Sequence, residues 1–246
     1  MKNNMLVSLI ATVLCASCHI SKTQKNKTVD VVEIPFVLTS HNNIAIEAVF
    51  NDTDTLTLMF HSAANAIALT ENATEKMRTI NWSSETEANS WGGKAASRYS
   101  ESNTLQICGL TWDSLEIWED KNSGPFTDGK FGLNLFEGKV LEINFDNNLI
   151  KVHHDLPDYS SVYEQVPLIF ENDFMFINGS TRIAEDSYLN RFLIHSGFGG
   201  SILYDDQFVA ESKIGERIVI TAEKELKDSF GNVLKTKKGN QPNFTK

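Results

Sequence analysis

Histidine followed by serine occurs twice in this chain, at His61-Ser62 and His195-Ser196, each time after an apolar stretch, Leu56–Phe60 and Phe192–Ile194. Imidazole titrates near neutral pH, so two of them brought face to face offer three chemistries: general acid/base hydrolysis, a shared metal ion, or a contact without catalysis. Catalytic zinc takes three protein ligands, and the flanking Ala63 and Gly197 supply none, so no metal is expected. The serines are poor nucleophile candidates. Each is adjacent to its histidine, so the side chains diverge, and no acidic residue stands ready to orient the ring. His153-His154-Asp155 looks like a ligand cluster, yet consecutive strand residues point to opposite faces and would present one imidazole at a time. The three cysteines, Cys15, Cys18 and Cys108, form neither a disulfide framework nor a metal set, and no cofactor is expected.

The elements that must position the two histidines also repeat. Ile34-Pro35-Phe36 and Val166-Pro167-Leu168 open the two copies; a leucine follows each histidine by eight residues (Leu69, Leu203), and a helix-capping Thr70 or Asp205 comes next. This is an internal duplication of a half-domain. In the first copy, Val31–Leu38 and Ile44–Phe50 alternate as strands around a turn at His41–Asn43, and Asn51–Asp54 turns the chain into Leu56–Phe60. A helix is expected over Thr70–Ile80, then a polar hairpin over Ser83–Ser102 with Trp91-Gly92-Gly93 at its centre. Leu105–Cys108 and Leu115–Trp118 read as paired strands, with Cys108 as a small buried side chain. Phe131-Gly132 and a closing hairpin (Leu141–Asp146, Leu149–His153) complete the copy. In the second, strands are expected at Ile169–Ile177, Arg182–Ala184 and Tyr188–Ile194, and a helix of about ten residues runs from Asp205 to Gly215. Lys235–Lys238 reads as part of a solvated tail.

Strand, His-Ser-small, strand, helix resembles the active-site loop of the aspartic proteases, pepsin-like and retropepsin-like, in which two lobes each contribute an Asp-Thr/Ser-Gly triplet. Here His61 and His195 stand at the aspartate positions. The resemblance implies an all-β fold with a few short helices and two pseudo-twofold lobes. Ser62 and Ser196 would brace the opposite loop through their hydroxyls beside Gly197, and Phe131-Gly132 would thread behind the first loop. A flap hairpin would carry an aromatic near its tip, Trp91 or Tyr99, with Gly92-Gly93 as its tight turn. The domain reading is 31–153 for the first lobe, 154–165 for a linker and 166–246 for the second lobe. The second copy carries no hydrophobic-hydrophobic-Gly element or closing hairpin after its histidine, so that lobe is expected to be incomplete, trimmed or shortened by a stop or frameshift.

A formal charge of −10 with scattered basic residues argues against nucleic acid. Residues 1–18 read as an export signal, with Lys2, an apolar Met5–Cys15 and a small-residue site ending in Cys18. They resemble a bacterial lipoprotein signal, which implies a lipid on Cys18, a tether over 19–30 and a cell-envelope location. Imidazole offers one donor and one acceptor where a carboxylate offers two acceptors, so loss of the aspartate pair implies loss of conventional chemistry. The expected function is therefore a cleft that binds peptide or protein segments. The alternatives are a hydrolase using His61 and His195 as acid and base, and a truncated, non-functional remnant.

Overall fold

The computed structural model describes residues 31–159 and 163–240; the expected export signal with Cys18, the tether 19–30 and the last six residues lie outside them. The described chain is mostly β-strand with a few short helices. In the first lobe the strands are β1 (Val32–Pro35), β2 (Val37–Leu38), β3 (Ile44–Phe50), β4 (Asp54–Phe60) and β5 (Ile67–Thr70). Helix α1 (Glu71–Thr74) follows, then β6 (Ser84–Ser90), β7 (Gly93–Ile107), β8 (Leu110–Asp120) and β9 (Gly129–Phe131). A 3-10 turn at Leu133–Phe136 leads into β10 (Val140–Asn144) and β11 (Leu149–His153).

Eight of these strands form one sheet in the order β2-β3-β4-β9-β5-β8-β7-β6, and β3 pairs with β7 as well, which folds the sheet on itself. β1, β11 and β10 make a smaller antiparallel sheet that joins both ends of the lobe. Alternation in β3 sends Ile44, Ile46, Ala48 and Phe50 inward, where they meet Leu58, Phe60, Ile67, Leu69, Phe131 and Ile150 in one core. Short turns set the registers. Asn51 and Asp52 both take positive φ between β3 and β4, as do Cys108 and Gly109 between β7 and β8. The two-residue Cys108-Gly109 turn, between paired Ile107 and Leu110, matches the twist of its strands, while three residues separate the paired Phe50 and Asp54. Cys108 is therefore exposed at a turn, and the expectation of a buried thiol is corrected.

Helix α1 is far shorter than the expected Thr70–Ile80. Thr70 caps it by accepting from Ala73 N, but the buried Asp54 carboxylate takes the backbone N–H groups of Arg78 and Thr79, which draws the chain out of helical pairing.

The second lobe repeats the order with fewer parts: β12 (Ile169–Glu171), β13 (Phe174–Ile183), β14 (Asp186–Leu193), α2 (Asp206–Ser212), α3 (Ile214–Arg217), β15 (Val219–Lys227) and β16 (Val233–Asn240). The helix breaks at Lys213, whose φ is +51°, rather than at Gly215, which lies inside α3. Lys235–Lys238 belongs to β16, which corrects the tail reading; Lys235 and Lys237 pair in register with Glu225 and Glu223, opposite charges that favour the strand pair. The core here is small. Ile183, Phe208 and Ile214 are buried against Tyr188, Tyr204 and Ile218. β12-β13-β14 and β15-β16 remain separate sheets among the described residues.

Candidate functional site

β4 and β14 each run to the end of an apolar stretch and deliver a histidine to a tight loop: Ala64 N donates to His61 O at 2.9 Å, and Phe198 N to His195 O at 3.2 Å. The two loops then grip each other. Ser62 Oγ donates to Ile194 O (2.7 Å) and accepts from Ser196 N (2.9 Å); Ser196 Oγ donates to Phe60 O (2.7 Å) and accepts from Ser62 N (2.8 Å). Each hydroxyl is satisfied twice, and each ties the loop of one lobe to the strand end of the other. Behind the first loop, His61 N donates to Phe131 O (2.9 Å), and a Cβ at Gly132 would lie 1.9 Å from the Ala64 carbonyl oxygen, so only glycine passes there.

The grip places the imidazoles together. Their ring centroids are 4.6 Å apart in an edge-to-face arrangement of 67°. A Cβ at Gly197 would lie 2.1 Å from His61 Cδ2, so the absent side chain is what lets the His61 ring lie against the second loop. Both Nδ1 atoms are buried without a hydrogen-bond partner among the described residues. Burial is the main reason that His61 is lowered to about 3, helped by His195 and then by the Lys130 ammonium. Burial and Lys130 also push His195 below its ordinary value. Both rings are neutral at pH 7. Each then has one donor and one acceptor pointing opposite ways, so the pair cannot share a proton over one water as two carboxylates do.

A second cluster adjoins the pair. The Lys130 side chain, 15% exposed, forms an ion pair with Asp120 at 2.7 Å and donates to the Ser229 hydroxyl. Burial raises the Asp120 carboxyl, the Lys130 charge and bonds from Lys130 and Ser229 oppose this, and the Asp228 charge adds to the rise. Ser229 lies in the turn between β15 and β16, and its carbonyl accepts from Lys121 N (2.9 Å) and Asn122 N (3.0 Å). The neighbouring Asp228 is 2% exposed and accepts from Gly92 N (3.1 Å), Phe230 N (3.0 Å) and Asn232 N (2.7 Å). Burial alone would raise its carboxyl; the bonds from Asn232, Phe230 and Ser90 outweigh that and hold it below the usual carboxylate range. The tips of β6–β7 and β15–β16, which belong to different lobes, are thus joined at Gly92 and Asp228.

Of the expected flap residues, Trp91 and Gly92 form the two-residue tip, Trp91 being 58% exposed. Gly93 is the first residue of β7, at φ +125°, and not part of the turn. Tyr99 is not at the tip. It pairs with Ser84 at the far end of the hairpin and stacks on Trp118 with centroids 5.3 Å apart. His153 bonds Glu142 at 3.0 Å and His154 pairs with Asp155, so that cluster is two separate contacts.

Sequence reasoning missed Lys130, Asp120, Asp228 and Ser229. A lysine directly before Phe131-Gly132 was the available signal, since the strand that backs the His61 loop must also flank the imidazoles. The turn at His41–Asn43 is also fastened to the second loop: Asn42 Nδ2 donates to Gly199 O (3.0 Å) and the buried Asn43 to Gly197 O (3.3 Å).

No family model matches the chain, and no curated protein matches it. Among solved structures it is similar to a retropepsin-like aspartic protease from Rickettsia conorii, at 20% identity and a TM-score of 0.35, over 50% of this chain and 91% of that one.

Proposed function

We propose that the chain is an aspartic-protease-like protein of the cell envelope that has exchanged acid/base hydrolysis for binding of extended peptide or protein segments between its lobes. The observation that carries this reading is the neutral His61–His195 pair held by the reciprocal serine grip. The paired loops and their reciprocal serine bonds are the arrangement that would position a catalytic dyad, while the groups at its centre cannot do a dyad's chemistry. The hydrolase alternative needs an imidazole half-protonated near neutral pH, and burial together with the neighbouring ring and ammonium acts against that. The joined hairpin tips and the exposed Trp91 supply the kind of surface on which an extended segment is held by backbone hydrogen bonds and an aromatic contact. Export and a lipid on Cys18 are part of the same proposal, supported by the order of residues 2–18.

The test is capture of peptides from a random pool by the immobilised full chain, read by mass spectrometry for both retention and cleavage. Extended peptides are expected to be retained intact, with at least about tenfold less retention by Trp91→Ala, the loss of about 1.4 kcal/mol of contact. Cleavage that vanishes in His61→Gln and His195→Gln would overturn the binding reading in favour of a hydrolase, and retention independent of Trp91 would remove the segment from between the lobes.

A further inference from the structure

The β15–β16 hairpin is buried at its tip rather than along its strands. The strands are mostly exposed, whereas the turn holds Asp228 at 2% exposure with Ser229 and Phe230 half-buried. Turns ordinarily project into solvent. This one is pressed onto the first lobe, and its bonds fall into two sets. Those within the turn shape it: Asp228 Oδ1 accepts from Phe230 N and Asn232 N, Asp228 O accepts from Gly231 N (3.1 Å), and Asp228 N donates to Asn232 O (3.0 Å). Those leaving it reach the β6–β7 tip, the loop after β8, and β9. Gly92 N donates to Asp228 Oδ2, Lys121 N and Asn122 N to Ser229 O, Asn122 Nδ2 to Asp228 O (3.3 Å), and Lys130 Nζ to Ser229 Oγ.

These donors border the space between the lobes. The Lys130 charge acts on both imidazoles, and the exposed Trp91 adjoins Gly92. The turn therefore sits as a ligand would, and each contact specifies a chemistry. A Cβ at Gly92 would lie 2.3 Å from Asp228 Oδ2, so the carboxylate meets bare backbone. Lys130 is already paired with Asp120, and the Ser229 hydroxyl accepts from the ammonium while bonding the Asp120 carboxylate. A second carboxylate at that point would oppose Asp120, and an apolar group would leave the pair short of a hydrogen bond. Phe230 lines a cavity of about 280 Å³ together with Ala96, Arg98 and Lys121, which leaves room for an aromatic ring at the next step.

We propose that Gly92, Lys121, Asn122 and Lys130 form a seat for a turn of Asp-Ser-aromatic chemistry, that residues 228–230 of this chain fill it as an autoinhibitory stand-in, and that a polypeptide carrying such a turn displaces them. The proposal rests on the proposed function for one point, that segments pass between the lobes. With the seat filled, an incoming segment finds Lys121 N, Asn122 N and the Lys130 ammonium taken. Its apparent affinity is then the intrinsic one scaled by the fraction of molecules whose turn is out.

The probe is a cyclic peptide copying Lys227–Val233, closed through its ends because those two residues pair in register in the hairpin. It is titrated into the full chain, and binding is read by calorimetry and by hydrogen exchange over residues 90–93 and 120–123. Asp228→Ala, which empties the seat without altering it, is expected to bind the probe at least about tenfold more tightly than the parent, with exchange slowed over both segments. A probe with Ser229→Ala is expected to bind that variant at least about tenfold more weakly. Adding Gly92→Ala to Asp228→Ala should abolish the protection. Equal affinity of the parent and Asp228→Ala overturns the autoinhibition. Absence of probe binding to Asp228→Ala overturns the seat, and equal binding of the Ser229→Ala probe overturns its selectivity. If Asp228→Ala loses the dichroism spectrum of the parent, Ser229→Ala in the chain, which keeps the turn's backbone, is measured in its place with the same direction expected. The random peptide pool separates this proposal from the proposed function. Probe binding by Asp228→Ala with no pool peptide retained by either protein would sink the peptide path and leave the seat standing; pool peptides retained equally by both would keep the path and overturn the autoinhibition.

Discussion

Replacing Ser62 by alanine tests whether the loop grip holds the lobes together. The substitution removes one hydroxyl and strands two groups of the second lobe, the Ser196 N–H and the Ile194 carbonyl. Ser62 is 3% exposed, so water does not readily replace the lost oxygen. A buried group left without its partner costs about 1–3 kcal/mol, and a carbonyl with a second lone pair falls at the low end, giving about 2–4 kcal/mol for the pair. At about 2–4 °C per kcal/mol for a chain of this size, the melting temperature should fall by about 5–15 °C. Ser196→Ala strands the equivalent Ser62 N–H and Phe60 carbonyl, but Ser196 is only half-buried, so its cost should be smaller, about 1–2 kcal/mol. The double variant should cost less than the sum, because either loss already slackens both loops. All four tryptophans (Trp82, Trp91, Trp112 and Trp118) lie in the first lobe, so tryptophan fluorescence during urea unfolding reports that lobe and far-ultraviolet circular dichroism reports both. In Ser62→Ala the dichroism transition should move to lower urea ahead of the fluorescence transition, since the second lobe has so small a core of its own. A Ser62→Ala protein within about 0.5 kcal/mol of the parent, or strict additivity with Ser196→Ala, would refute the grip as the fastener between lobes.

Three further outcomes are expected. A histidine kept neutral by the fold has a lowered folded pKa, so its stabilisation is complete above the unfolded value of about 6.5 and is lost as pH falls below it; between pH 6.5 and 4.5 stability should decline by up to about 1.4 kcal/mol per pH unit per histidine, and His61→Gln should flatten that slope. An unchanged slope in His61→Gln urea titrations would show that the ring is already exposed to protons. Asp228→Asn should part the hairpin tips, speeding amide exchange at Gly92 and Asn122 with little change in global stability; because the Asp228 carboxyl is lowered, the same release should appear in the parent as pH falls through its folded value below about 3.8, and equal exchange in parent and variant would refute the contact. Cys18→Ser should move the protein from the membrane fraction to the soluble fraction of an expressing bacterium, and continued membrane retention would refute lipid attachment at that residue.

The repeated His-Ser pair, the turn residues and the Phe131-Gly132 step were legible in the sequence because each has a local requirement: a tight loop, a positive φ, a glycine where a Cβ cannot fit. The helix at Thr70–Ile80 was misread because its pattern is helical locally, whereas Asp54, more than twenty residues away, claims the backbone of Arg78 and Thr79. Cys108 was misread for a similar reason. Alternation through Leu105–Cys108 places the thiol inside a strand, whereas that strand ends at Ile107 and Cys108 takes a positive φ beside Gly109 in the turn. The Lys130, Asp120 and Ser229 cluster spans more than a hundred residues and joins two lobes, so no window of sequence contains it. Tyr99 was a reasonable aromatic to choose by position, but which end of a hairpin an aromatic occupies depends on register, and register came from Trp91-Gly92.

The serine grip also bears on how such a protein changes over generations. All four of its bonds run between serine hydroxyls and backbone atoms, and none touches an imidazole. The side chains at positions 61 and 195 can therefore be exchanged without breaking the fastening that sets their separation. Architecture and reactivity are inherited separately here, so a lineage can lose or replace the chemistry at the centre of the loops while selection on the fold still holds the loops in place.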